Sequence, residues 1–395
     1  MGAIKADKKL PNENLWITPK RGIDMKFIHI SDLHIGKRLH ETSLIEDQKD
    51  ILQKILTIID SEKPDGVIIA GDVYDRTVPS AEAVKLLDDF LASLVTKKLS
   101  VFIISGNHDS AERIAFGSSI MSAAKIYLSP VYNGVVTPIT MHDEYGEVNV
   151  YMLPFIKPIH VKMHYPDVKI ESYTDAVRVA IEGMKMDQKK RNVLICHQFV
   201  TGSARTESEE SVGGLDNVDA EVFDGIDYVA LGHLHKAQHA KRPQIRYSGT
   251  PLKYSFGEEN DQKSLTVINL KEKDAPVEII QIPLTPLREM RTIRGNYEDL
   301  LNGEKSDDYV RIILTDEMDV PYAMSNLQTV YKNALELRYD NSRTRNVNTL
   351  TALQDVEEKS VYELFEQFFY EMNNKELSET QKNYIKNILE EEGIE

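Results

Sequence analysis

The stretch VFIISGNHDS, Val101–Ser110, carries an apolar run straight into a glycine, an amide, an imidazole and a carboxylate. Read alone, Gly106-Asn107 is a turn that lets the chain leave a strand. The surrounding sequence repeats the pattern. From Met25 to about Phe256, short apolar runs (KFIHI, GVIIA, VFIIS, NVYML, NVLIC and DYVAL) alternate with stretches of helical periodicity. Residues 44–60 show the latter, with Leu52, Ile55, Leu56 and Ile59 spaced by three and four. Such alternation predicts an α/β domain.

Five apolar runs end in the same kind of chemistry. FIHISDLH supplies Asp32 and His34, VIIAGDVYD supplies Asp72 and Asp75, and FIISGNHD supplies Asn107, His108 and Asp109. VLICHQ adds His197, and YVALGHLH adds His233 and His235. Ligand sites in α/β sheets lie beyond the carboxyl ends of the strands, so these loops can converge at one edge. Five of the eleven histidines take part; His29, His40, His142, His160, His164 and His239 do not. The i, i+2 spacing of Asp32/His34 and of His233/His235 predicts, at an extended strand exit, that both members point the same way. Carboxylate, imidazole and amide donors without a thiolate suit manganese, iron or zinc better than magnesium alone. Strand alternation turns Cys196 away from His197, so it is not a ligand.

At 395 residues the chain is long enough for two to three domains, or one large one with additions, and 41% hydrophobic with 28% charged residues is the composition of a soluble globular protein. A formal charge of −16 argues against holding nucleic acid by bulk electrostatics alone. DNA binding would need bound cations or a local basic surface. No run approaches the roughly 18 apolar residues of a membrane helix. The single cysteine and the absence of an apolar signal core in the first residues lead us to expect a cytoplasmic protein.

Residues 1–24 read as a leader or expression remnant and 25–270 as the main domain. Prolines near residues 279–290 mark a boundary before a small α/β domain at 280–340, with helix-like NYEDLLNG, strand-like YVRIILT and helix-like AMSNLQTVYKNA. Residues 341–355 read as a linker and 356–395 as a helical tail. In that tail Val361, Leu364, Phe365, Phe368, Phe369 and Met372 form one helical stripe. Ser378 with Gln381 forms a capping box before a second helix carrying Tyr384, Ile385, Ile388 and Leu389. The stripes must be buried on the body or against a partner, with Leu364, Phe365, Phe368, Ile385 and Leu389 as candidate partner-binding positions. The polar stretch 201–214 reads as a surface loop.

D-x-H, G-D-x-x-D, G-N-H-D, H and G-H-x-H, in this order, resemble the calcineurin-like metallophosphoesterase superfamily. The flanking words ISDLHIGKRL, AGDVYDRTVPS, SGNHDSAERIAFG, GHLHKAQ, RYSGTPLKYSFGE and PLTPLRE resemble its DNA double-strand-break repair branch, the SbcD nuclease family of the bacterial SbcCD complex. That resemblance implies a sandwich of two β-sheets flanked by helices, a small α/β capping domain and C-terminal helices. It implies two divalent metal ions, manganese foremost, one at Asp32, His34, Asp72 and His235 and the other at Asp72, Asn107, His197 and His233. His108 is then no ligand but the catalytic group that faces the phosphate and stabilises or protonates the leaving oxygen. Asp75 stands where some members carry a histidine and is given no catalytic role.

Two divalent ions against two carboxylates leave a net positive site, which Asn107 completes without cancelling that charge. Lys37, Arg38, Arg113, Lys236 and Lys253, near the loops, are candidates for DNA-backbone contacts. The resemblance further implies double-strand exonuclease and single-strand or hairpin endonuclease activity, a second copy of the chain and an SMC-like ATPase of the SbcC type. The sequence has no G-x-x-x-x-G-K-[ST], so ATP hydrolysis would belong to that partner. The metal motifs alone also allow a free-standing phosphoesterase for small phosphodiesters, or a DNA-end tether whose hydrolytic site is idle.

Overall fold

Every one of the six apolar runs becomes a strand, but they divide between two sheets. The computed structural model describes residues 24–203, 216–347, 360–373 and 375–391. Most of the leader, of the 201–214 loop and of the 341–355 linker therefore lies outside the described residues.

In the first sheet Met25–Ile30, Gly66–Ala70, Ser100–Ile104 and Ile126–Leu128 run parallel. Ser264–Leu270 lies antiparallel beside Met25–Ile30, and Glu278–Pro283 lies antiparallel beside Ser264–Leu270 at the edge. In the second, Gly146–Leu153, Arg191–His197, Tyr228–Gly232 and Ile245–Tyr247 are parallel, with Ile139–Asp143 and Gln238–His239 antiparallel at the edges. The sheets share one core, in which Phe27, Ile68, Phe102 and Ile104 meet Val150, Met152, Val193, Ile195 and Tyr228. The outer face of the second sheet (Leu194, Cys196, Val229 and Leu231) packs on Val177, Ala180 and Phe223. Strands covered on both faces need apolar residues at every position, which explains why they read as unbroken apolar runs.

Helix Ile45–Glu62 buries Ile51, Leu52, Ile55, Leu56 and Ile59 and ends at Lys63 in the left-handed conformation. Helix Ala81–Thr96 starts at Ser80, whose side chain accepts from the Ala83 amide, and buries Leu87, Phe90, Leu91 and Leu94. These caps and stripes fix two rigid supports for the loops that follow the first sheet's strands.

The first compact unit ends at Leu287 and the second begins at Arg288. Strand Glu278–Pro283 thus belongs to the first unit, beyond the limit of residue 270 read from the sequence and across the expected start at 280. The second unit contains a parallel sheet of Met290–Gly295, Ser306–Leu314 and Tyr331–Tyr339. Its core includes Val310, Ile312, Leu314, Ala323, Leu327 and Ala334. The helix expected across AMSNLQTVYKNA stops at Leu327, and Tyr331–Tyr339 is a strand. Ser342–Val347, read as the start of a linker, is helical. Helices Val361–Asn373 and Glu379–Glu391 follow, and Ser378 and Gln381 form the expected capping box at 2.9–3.4 Å. Among the described residues no helix is long and apolar enough to cross a membrane.

Candidate metal centre

Three loops from the first sheet and two from the second meet where the strands end. Their backbones are tied first. The Asp32 amide donates to the Gly71 carbonyl at 3.0 Å, and the His34 amide to the Asp72 carbonyl at 2.9 Å. The Asp32 carboxylate accepts the His233 amide at 3.0 Å, joining the two sheets. Asp109 fastens the remaining loop: its carboxylate accepts the amides of Val73, Tyr74 and Gly106 at 2.9–3.0 Å.

The strand exits are not extended. Asp32, His34, Asp72 and His233 have φ of 52°, 43°, 47° and 104°, in the left-handed half of the map. The paired side chains of Asp32/His34 and His233/His235 are therefore aimed by sharp local turns, and the simple alternation expected from their spacing does not hold. Gly106 also differs from its reading as a turn residue. Its φ is not positive; a Cβ there would meet the Asp72 carboxylate at 2.1 Å. It is glycine because Asp72 occupies that space.

The ligand-capable atoms of Asp32, His34 and Asp72 lie within 4.8 Å of one another, all buried. His34 Nε2 is 3.7 Å and His197 Nε2 is 3.4 Å from Asp72 Oδ2. Asn107 Oδ1 lies 2.9 Å from His197 Nε2 and 3.0 Å from His233 Nδ1. The His235 ring packs edge-on against His34 at 5.2 Å. All seven residues expected as ligands are thus brought together. His108, exposed beside them, donates its amide to Asp72 at 2.9 Å, and its Nδ1 lies 3.3 Å from the Asp75 carbonyl, leaving Nε2 for solvent.

This donor set fits a cation. Both ring nitrogens of His34 are buried without a hydrogen-bond partner, and lone pairs of Asn107, His197 and Asp72 crowd one region. Burial raises the Asp32 pKa to about 6 and holds that of His34 well below its usual value. Burial also opposes ionisation of Asp72, but the facing His197 outweighs it and holds that carboxyl far below its usual range. For His197, burial lowers the pKa and Asp72 more than restores it, to about 9. A divalent cation would take over the compensation these groups give one another.

Outer partners orient the rings. His197 Nδ1 lies 2.9 Å from the Ala70 carbonyl, turning Nε2 toward Asp72. His235 Nδ1 lies 3.0 Å from Glu258, which is buried and also pairs with Lys263 at 2.6 Å. Burial works against this carboxylate, but His235 and Lys263 hold its pKa down at about 2. Gln48 donates to the His34 carbonyl at 2.7 Å and to Tyr254 at 3.1 Å. Sequence reading gave Glu258, Gln48, Tyr254 and Asp109 no role. The only signal for Glu258 was its place in RYSGTPLKYSFGE.

The expected DNA contacts are mostly engaged. Lys37 pairs with Asp75 at 2.8 Å, Lys236 with Asp261 at 3.4 Å, and Lys253 with the Glu259 carbonyl at 2.8 Å. Arg38 binds the Glu41 carbonyl, whereas Arg113 is exposed.

The family model for calcineurin-like phosphoesterases matches residues 25–237, more than half of the chain. The chain belongs to the calcineurin-like phosphoesterase family. It is thus a metal-dependent phosphoesterase by family, a family that binds divalent metals. A second model, for the SbcD C-terminal domain and described as Type 5 capsule protein repressor C-terminal domain, matches residues 286–373. Similar solved structures include a dimetal phosphatase from Danio rerio, with TM-score 0.36 and 13% identity over 65% of this chain and 98% of that one. The TT1561 protein of Thermus thermophilus matches with TM-score 0.39 and 11% identity over 65% of this chain and 99% of its own.

Proposed function

We propose that this calcineurin-like phosphoesterase is the nuclease subunit of a DNA-processing complex. It acts as a double-strand exonuclease and a single-strand or hairpin endonuclease in break repair and recombination, in the cytoplasm at the nucleoid. The reading rests on one conjunction: the convergence of Asp32, His34 and Asp72 with Asn107, His197, His233 and His235 in the first unit, followed by the SbcD-type match over residues 286–373.

Asp32, His34, Asp72 and His235 would hold one divalent ion and Asp72, Asn107, His197 and His233 the other, manganese being the metal best suited to the donors. Bound there, the ions would polarise a phosphodiester and lower the pKa of a water. His108, held at its amide by Asp72 and at Nδ1 by the Asp75 carbonyl, presents Nε2 to the leaving oxygen. Because it is exposed and is not among the proposed ligands, it can donate a proton without disturbing the donors.

Two apolar surfaces support the partner assignments. The tail helices enclose a groove of about 540 Å³ lined by Phe365, Phe369, Leu377, Ile385 and Leu389, which fits a helix of an SMC-like ATPase. Beside a cavity of about 740 Å³ at Leu87, Leu91 and Ile114, Phe116 and Ile120 are 83% and 78% exposed, a surface suited to a second copy.

The test is to incubate the chain and His108→Ala with manganese and blunt, hairpin and small phosphodiester substrates. DNA cleavage should fall ~10²–10⁴-fold in the variant while metal content is unchanged. Hydrolysis of the small phosphodiester alone would overturn the nuclease reading. Deleting residues 361–395 should abolish co-purification with the ATPase and leave metal loading intact; retained co-purification would reject the tail as its site.

A further inference from the structure

Asp75 has no place among the donors, yet its carboxylate is built into the wall behind His34. Its side chain is 11% exposed, and its amide donates to the Ile35 carbonyl at 3.2 Å, fixing it next to the loop that carries His34. Asp75 Oδ1 lies 3.7 Å from His34 Nδ1 and 2.8 Å from Lys37 Nζ. The opposite ring nitrogen, Nε2, faces Asp72. His235 and His197 each have an oxygen at Nδ1, from Glu258 and Ala70, whereas both His34 nitrogens are unpartnered.

We infer that Asp75 is the positioning residue for His34, its negative carboxylate, 3.7 Å from Nδ1, favouring a proton on that nitrogen so that Nε2 is free for a cation, with Lys37 as the counter-charge that keeps this carboxylate from repelling substrate. The inference rests on reading His34 as a ligand. It assigns Lys37, first read as a DNA contact, to Asp75 instead. His108 is served by the Asp75 backbone carbonyl, so side-chain changes at Asp75 leave its acceptor in place. An imidazole that must bind through one nitrogen needs the other protonated, and an oxygen facing that proton selects the tautomer. Such partners typically alter metal affinity ~10–100-fold.

Two measurements on the full chain test this. In chelator-treated protein, long-range nitrogen–proton NMR on labelled histidine should show His34 as the Nδ1–H tautomer, and Asp75→Ala should shift it toward Nε2–H. In calorimetric titration with manganese, Asp75→Ala should weaken one of two ions ~10–100-fold and spare the other. Asp75→Asn, which keeps an acceptor oxygen, should recover part of the loss, and Lys37→Met should bind at least as tightly as wild type. An unchanged tautomer with unchanged affinity in Asp75→Ala overturns the inference. So does an equal loss in all three variants, which would mark the ion pair as merely structural. The NMR readout needs no metal, so a wild type that binds no ions would defeat the two-metal reading while the assignment of Asp75 is still decided.

Discussion

At residue scale, Asn107 and His108 are neighbours with separable tasks. Asn107 Oδ1 stands between His197 and His233, so Asn107→Ala should lower metal occupancy, measured by elemental analysis after dialysis, with the fold unchanged by circular dichroism. His29 gives a pH prediction. It is fully buried between the sheets, with Nδ1 3.0 Å from the Tyr228 hydroxyl, and burial, aided by the Arg246 charge, lowers its pKa to about 3. The unfolded chain binds that proton near 6.5, so this group's stability is complete above about pH 6.5 and declines as pH falls toward 3. Melting temperature measured from pH 8 to 4 should fall less steeply for His29→Phe than for wild type; identical slopes would remove His29 from the account. The donors were legible because each closes an apolar run. Glu258 and Gln48 were not, since their meaning lies in contacts with His235 and, across 206 residues, with Tyr254.

At the scale of elements, the long central strands were legible because burial on both faces writes them as apolar runs. Ile126–Leu128, Gln238–His239 and Ile245–Tyr247 are too short to carry a pattern. Tyr331–Tyr339 was misread for a physical reason. Leu327, Val330, Tyr331 and Ala334 share one core at helical spacing, yet the chain passes from helix to strand among them. The strand ends pack too closely to admit a side chain. At Gly232 a Cβ would meet the Ala70 carbonyl at 1.9 Å, backbone against backbone. Gly232→Ala should therefore separate the central strands of the two sheets and lower the melting temperature, whereas Gly117→Ala, with open space around it, should cost only backbone strain. Equal melting temperatures for Gly232→Ala and wild type would contradict this packing.

For the whole molecule, the contact division at Leu287 predicts that a chain ending there folds and binds metal alone, checked by melting and calorimetry. A broad, non-cooperative melt would show that residues 288–395 are needed for the first unit's core. The seam between the sheets has a further consequence. Asp32, Asp72 and Asn107 come from one sheet and His197 and His233 from the other, so the ions proposed for them would act as rivets through both layers. Slippage of one layer against the other would spoil the chemistry before it unfolded the protein. Loading should therefore slow amide exchange in both sheets together, and loss of activity on heating should precede loss of secondary structure, making the reactive centre the gauge of how tightly the two layers are clamped.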